Sequence, residues 1–243
     1  MSRSVAFQRY AADGALVLGG GAAILLQIAD PVVGAGVAAH SAFADDPMRR
    51  LRHTLTYGYA IGLGTAAQSR LAASFVDRAH AGVPGASDPQ RQLWVAATLY
   101  RLSVDVHELL RGPLDDTLAD EIYAASADLG TALQLPANAW PADRAAFEKY
   151  WVDVVAALEV TPAARRVARD LLWPGRVPLW VRAAMPLGRT LTAGLLPASI
   201  RDGFGLPHDP RGFRRAVRVA RLAARLTPRR LREVPSRRLL ARL

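Results

Sequence analysis

The 243-residue chain has no cysteine. That single absence removes disulfides, thiolate nucleophiles, iron–sulfur clusters and thiolate zinc sites from consideration. Lysine is nearly absent too, Lys149 being the only one, so almost all positive charge is arginine. Runs rich in β-branched and aromatic residues are scarce, which argues against strands. A long apolar run is also missing. The N-terminal stretch Gly14–Leu26 falls short of the roughly 20 residues that cross a bilayer. It also lacks the charged start and small-residue cleavage site of a signal peptide, so a buried helix is expected there.

What is present is helical. Hydrophobic residues make up 51% of the chain and charged ones 21%, a composition for a folded core rather than for disorder. Repeated Asp-Pro or Thr-Pro pairs read as N-caps followed by proline at the first helical position: Asp30–Pro31, Asp46–Pro47, Asp88–Pro89 and Thr161–Pro162. Helices are predicted over Gly14–Ala29, from Pro31, over Asp46–Leu63 with Gly64 closing it, from Thr65 to Gly82–Gly85, and over Asp88–Gly112. Others follow over Asp116–Leu129, Asp143–Leu158, Thr161–Trp173, Leu179–Leu195 with Pro186 kinking or splitting it, and from Pro210. The triple glycine Gly19–Gly20–Gly21 costs about 1 kcal/mol per residue inside a helix, which predicts close approach of another group. The fold class is all-α: one multi-helix domain enclosing an apolar ligand pocket, over residues 1–209, with a basic amphipathic helical tail over 210–243.

Charge separates the two parts. Thirteen arginines and three acidic residues from Arg201 to Leu243 account for the whole net charge of +10, leaving the body neutral. Phe213, Val217, Leu222 and Leu226 lie among these arginines. The tail suits an anionic membrane surface or a simple capping role. Nucleic acid is the weaker partner, since no aromatic residue follows Phe213 to stack on a base.

Chemistry concentrates between Asp46 and Gly85. Arg50 and Thr54 lie one turn apart on one helix face, with His53 beside them and Gly58 and Gly62 farther along. Small residues there admit a flat ligand or a neighbouring backbone, and a solvated surface helix gives the same pattern. On the next helix Leu71, Phe75, Val76, Ala79 and Val83 form an apolar stripe, with His80 on or beside it. A histidine so placed is either a satisfied core residue or a ligand to something apolar and metallic. There is no HExxH, and no two histidines stand four apart as zinc or non-haem iron helices prefer. One axial histidine is sufficient for haem. Gly62–Leu63–Gly64 with Ala67 is a partial dinucleotide fingerprint without the strand it needs; no P-loop or nucleophile elbow is present.

These blocks resemble the rubber oxygenase (latex clearing protein) and MpaB-type oxygenase catalytic domain. The resemblance runs through LLQIADPVVGAGVAAHSAFADDPMRRLRHT, GLGTAAQ, VDRAHAGVPG, DPQRQLWVAATLY, VTPAARRVARDLLWP and LLPASIRDGFGL, in that order. It implies an all-α fold holding haem b, with His80 as the iron's protein ligand and Arg50 and Thr54 in the pocket. His53 stands where the rubber oxygenase has a lysine, and is an expected distal ligand or base. Gly58 and Gly62 are expected to bring their helix close to the macrocycle, with Arg50 also as a propionate partner. Asp30 and Ala96 stand where many members have histidine, and the segment between Gly85 and Asp88 is shorter than usual. The implied activity is a haem-dependent oxygenase using molecular oxygen on an apolar, isoprenoid-like or secondary-metabolite substrate. The alternative is a haem-free helical lipid- or metabolite-binding protein. The membrane segment of MpaB-type members is not seen, so a cytoplasmic or membrane-peripheral location is expected.

Overall fold

Asp30 shows how the sequence starts its helices. Its Oδ1 accepts from the backbone N–H of Val32 and of Val33, both at 2.9 Å, satisfying donors that the first turn leaves unpaired. Asp88, Asp115, Asp143, Thr161 and Asp209 do the same for later helices. The computed structural model describes residues 3–40, 47–133, 135–175 and 177–243, and the side chains of His40, Pro47, Met48 and Arg50 also lie outside that description. The cap expected at Asp46 falls outside it.

The helices are α1 (Val5–Ala11), a 3-10 turn at Gly14–Gly19, α2 (Gly20–Ile28), α3 (Pro31–His40), α4 (Pro47–Leu63), α5 (Ala66–His80) and α6 (Pro89–Arg111). Then come α7 (Asp116–Ser126), α8 (Asp128–Thr131), α9 (Arg144–Ala157), α10 (Pro162–Leu172), α11 (Leu179–Leu195), α12 (Ala198–Gly203), α13 (Pro210–Leu226), α14 (Arg229–Arg232) and α15 (Val234–Leu240). Among the described residues there is no strand. The all-α expectation holds. Helix α1, capped by Ser4, was not expected, and the first expected helix is split into the 3-10 turn and α2. Helix α11 runs unbroken through Pro186.

Helix α2 is apolar all round, and such a helix must be buried on every side. Leu25, Leu26 and Ile28 are buried, and α2 packs on α3, α6, α10 and α11. The triple glycine sits where it enters. A β-carbon at Gly19 would meet the Leu102 carbonyl at 3.0 Å, and one at Gly21 would collide with Thr192, while Gly20 has open space. Beside α2 lies an aromatic cluster in which Phe147 meets Tyr100, Tyr123, Trp140 and Trp151.

The basic C-terminal segment packs onto this body. Helix α13 buries Ala216, Val217, Ala220 and Ala224 in a cluster with Val106 and Leu110 of α6 and Leu191 of α11. The chain then turns back so that α15 packs on α4. Asp13, buried, holds Arg111 at 2.8 Å and Arg232 at 2.5 Å, tying the C-terminal segment to the start of the 3-10 turn. Among the described residues no single helix is long and apolar enough to cross a membrane. The pair Val5–Ala11 and Gly14–Ile28, bent by 46°, passes that test only together, and α2 within it is core.

Candidate functional site

Helices α4 and α5 form an antiparallel hairpin. Gly64 closes α4 by donating its N–H to the Ala60 carbonyl at 3.0 Å, where a side chain would strike that same carbonyl. Thr65 opens α5 with a capping box: its hydroxyl accepts from the N–H of Gln68, whose side chain accepts from the N–H of Thr65. At 1.5 Å per residue, Arg50–Leu63 and Ala66–His80 each extend about 20 Å from the turn. The start of α4 and the end of α5 therefore stand at one level.

The two helices pack through Tyr57, Ala60 and Ile61 on α4 and Ala72 and Ala73 on α5, with Leu133 and Val76 joining them. Thr54 precedes Tyr57 by three residues and Ile61 by seven. His80 follows Val76 by four and Ala73 by seven. Both therefore continue the facing sides of the hairpin, beyond the last core contacts. There Thr54 is exposed and His80 half-buried. The inward face of α5 is not the stripe expected from its larger residues. Leu71 and Phe75 are exposed, and the Arg78 guanidinium lies 4.7 Å from the Phe75 ring centre.

Gly58, one turn after Thr54, is half-buried, and among the described residues nothing lies within 4 Å of a β-carbon built there. Gly62 does not share that opening. Its added β-carbon would meet Ala11 of α1 at 3.7 Å, and its carbonyl accepts a hydrogen bond from Arg3. Ala11 occupies the approach that a macrocycle was expected to take, and the eight residues from Thr54 to Gly62 place it about 12 Å away along α4. His53 is exposed on α4. Arg50 lies on α4 one turn before Thr54, and its side chain is outside the described residues.

The loop after His80 is fixed by α3. Val83 donates its N–H to the His80 carbonyl at 2.9 Å. A β-carbon on Gly36 would meet Val83 at 3.3 Å, and Gly85, at φ +78°, lies so close to Val32 that a side chain would collide. Arg91 then spans Asp88 and Asp30, its Nε 3.5 Å from the Asp30 carboxylate. The aspartate at position 30 is thus a cap and an arginine partner, and Ala96 is core. The bracing against α3 was not legible in the sequence, because its pairs, Gly36–Val83, Val32–Gly85 and Asp30–Arg91, are some 50 to 60 positions apart.

A cavity of about 830 Å3 opens at the turn end of the hairpin, the far end from His80. Its walls include Gly62, Gly64, Arg3, Asp128, Glu233 and Arg237. These polar groups answer one another: Arg3 pairs with Asp128 at 2.8 Å, and Glu233 with Arg229 and Arg237. The apolar ligand pocket expected from the sequence is not this cavity. Burial pushes the Tyr59 hydroxyl up to about 12 and Tyr57 higher still, so neither phenol of α4 exchanges protons near neutrality.

Among the described residues no three of His, Cys, Asp and Glu are grouped to hold a metal ion. A haem iron asks for less, one axial imidazole. Among the described residues nothing lies against Gly58, but by distance from the turn Gly58 stands about 13 Å short of the level of His80 on the facing helix, and Thr54 about 7 Å short. His80 supplies the donor type that haem requires.

Two uncharacterised mycobacterial proteins, one from Mycobacterium bovis and one from Mycobacterium tuberculosis, are each 37% identical to this chain over 224 residues. The match covers 85% of this chain and 88% of each relative. No solved structure matches it significantly. Residues 8–226 match the model of the catalytic-domain family described as ER-bound oxygenase mpaB/B' and rubber oxygenase. With nine-tenths of its length matched, the chain belongs to that oxygenase catalytic-domain family.

Proposed function

We propose that this chain is a haem b-dependent oxygenase acting, with molecular oxygen, on an apolar isoprenoid-like or secondary-metabolite substrate. The observation that carries the reading is the pair of side chains at the end of the α4–α5 hairpin away from its turn. Thr54 and His80 continue its two facing sides past the last packed residue, in a chain whose family is an oxygenase catalytic domain.

Haem, when bound, supplies the redox-active iron that dioxygen chemistry requires. His80 would hold it as neutral imidazole, and the loop pinned on α3 fixes the last turn that carries this side chain. Gly58 keeps the α4 surface free of a β-substituent, so that a planar group could approach the helix there. Arg50 contributes a charge that does not titrate, for a propionate or for reduced oxygen. Thr54 contributes a hydroxyl that donates a hydrogen bond or orients Arg50. His53, about 100° around α4 from Thr54, is the candidate distal ligand or general base.

Expression with haem supplied tests the proposal. The purified protein is expected to show a Soret band that is lost in His80→Ala while helicity is retained. A colourless protein of native helicity overturns the reading and leaves the haem-free helical binding protein. A ferric spectrum unchanged by His53→Ala removes the distal-ligand role from His53.

A further inference from the structure

Helix α13 has three sectors rather than two. At 100° per residue, Phe213, Ala216, Val217, Ala220 and Ala224 fall within about 100° and face the body. Arg211, Arg214, Arg218, Arg221 and Arg225 occupy a second sector of about 80°, and all five are exposed. Val219, Leu222 and Leu226, which are 57%, 57% and 72% exposed, make a third, about 60° wide, and the exposed Arg215 lies in the same arc nearer the helix start. The direction pointing straight away from the core falls on the seam between the arginines and the leucines.

Packing does not explain this outer surface. Among the described residues no arginine of α13 pairs with a carboxylate; Arg218 and Arg221 donate instead to the carbonyls of Arg214 and Leu109. Helix α11, which packs along α13, adds Leu179 and Trp180 on its first half, 79% and 69% exposed.

We propose that the outer face of α13 docks this protein on a bilayer surface containing anionic lipid. Val219, Leu222 and Leu226 enter the interfacial region, and the arginine sector meets the lipid phosphates. The charge selects among occupants. A second copy of this chain would set one arginine sector against another, which is repulsive. A nucleic acid would satisfy the arginines but leave three large apolar side chains in water, with no aromatic ring among them to stack on a base. A bilayer interface uses both sectors at once, and the protein meets it from one side, as its helices require.

Co-sedimentation of the whole protein with vesicles tests this, comparing equal parts phosphatidylglycerol and phosphatidylcholine with phosphatidylcholine alone. Binding is expected to the anionic vesicles and to weaken with added salt. Two triple variants of exposed residues are compared: Val219→Ser/Leu222→Ser/Leu226→Ser and Arg214→Gln/Arg218→Gln/Arg225→Gln. Each is expected to keep wild-type helicity and to lose vesicle binding by about tenfold or more. Lys149→Gln, exposed on α9, is expected to bind as wild type. No binding to anionic vesicles, or undiminished binding by either triple variant, overturns the proposal. Binding to a DNA duplex without binding to vesicles also overturns it and reassigns the arginines to nucleic acid.

Discussion

The two ends of the α4–α5 hairpin are built on opposite terms. At the turn, distant parts of the chain converge. Arg3 donates to the carbonyls of Ile61 and Gly62 and pairs with Asp128, and Gln68 donates to the carbonyl of Leu240 at 2.9 Å. At the other end, Thr54 and His80 stand on the same facing sides beyond the buried cluster of the described residues. A pair of helices clamped firmly at one end holds the other end in register. That is what a binding site needs from its scaffold: fixed side-chain positions on rigid elements. The comparison predicts that substitutions toward the turn act on stability, and those at the open end on ligand and activity.

The largest effect is expected at Tyr57, the last packed residue before the open end. It is buried, and its hydroxyl donates to the Leu129 carbonyl at 2.5 Å. Tyr57→Ala removes the ring, leaves a void and strands that carbonyl, a loss of about 3–5 kcal/mol. Urea denaturation followed by circular dichroism is expected to show the lower midpoint. A midpoint within error of wild type would break the claim that packing at this level holds the hairpin.

A smaller effect, visible through pH, belongs to the turn end. Arg229 and Arg237 hold the Glu233 carboxyl below its ordinary value of 4.5. The unfolded chain therefore binds the proton more readily than the folded one. The contribution is complete above the ordinary glutamate range and is lost as pH falls through 4.5 and on through the folded value. Glu233→Gln is expected to be less stable than wild type near neutrality and to show a flatter fall in urea midpoint on acidification. Parallel profiles for the two proteins would show that the pair does nothing for folding.

Much of the scaffold was legible from its punctuation. Asp30–Pro31, Asp88–Pro89 and Thr161–Pro162 open helices where expected, because a capping carboxylate or hydroxyl and a proline act within one turn and leave a local signature. The close approach expected at the triple glycine is there, at Gly19 and Gly21. Rotation about a helix axis was not legible. On α5 the larger residues Leu71 and Phe75 suggested the buried side, yet the helices meet through Ala60, Ala72 and Ala73. Small residues let the helices approach closely, and size alone does not say which side that is. The neighbour of Gly62 was hidden for the same reason, as nothing near it in sequence announces Ala11. The family resemblance fixed the fold by block order, and the short turn places Thr54 and His80 on the half of the hairpin away from it, about 7 Å apart in level.

Thr54→Ala carries the smallest expected effect on folding and the sharpest test of the contrast. Thr54 is exposed, and alanine is the better helix former. The unfolding free energy from urea denaturation is therefore expected to change by no more than about 0.5 kcal/mol in either direction. Oxygen uptake with an unsaturated isoprenoid is expected to fall, because the hydroxyl is the only polar group removed. Thr54→Ser, which keeps the hydroxyl, is expected to restore uptake, whereas Thr54→Val, which keeps the shape, is not. That pairing separates hydrogen bonding from packing: rescue by valine would make the position steric. A midpoint lowered as far as in Tyr57→Ala would make the open end structural, and the two ends of the hairpin would no longer differ in kind.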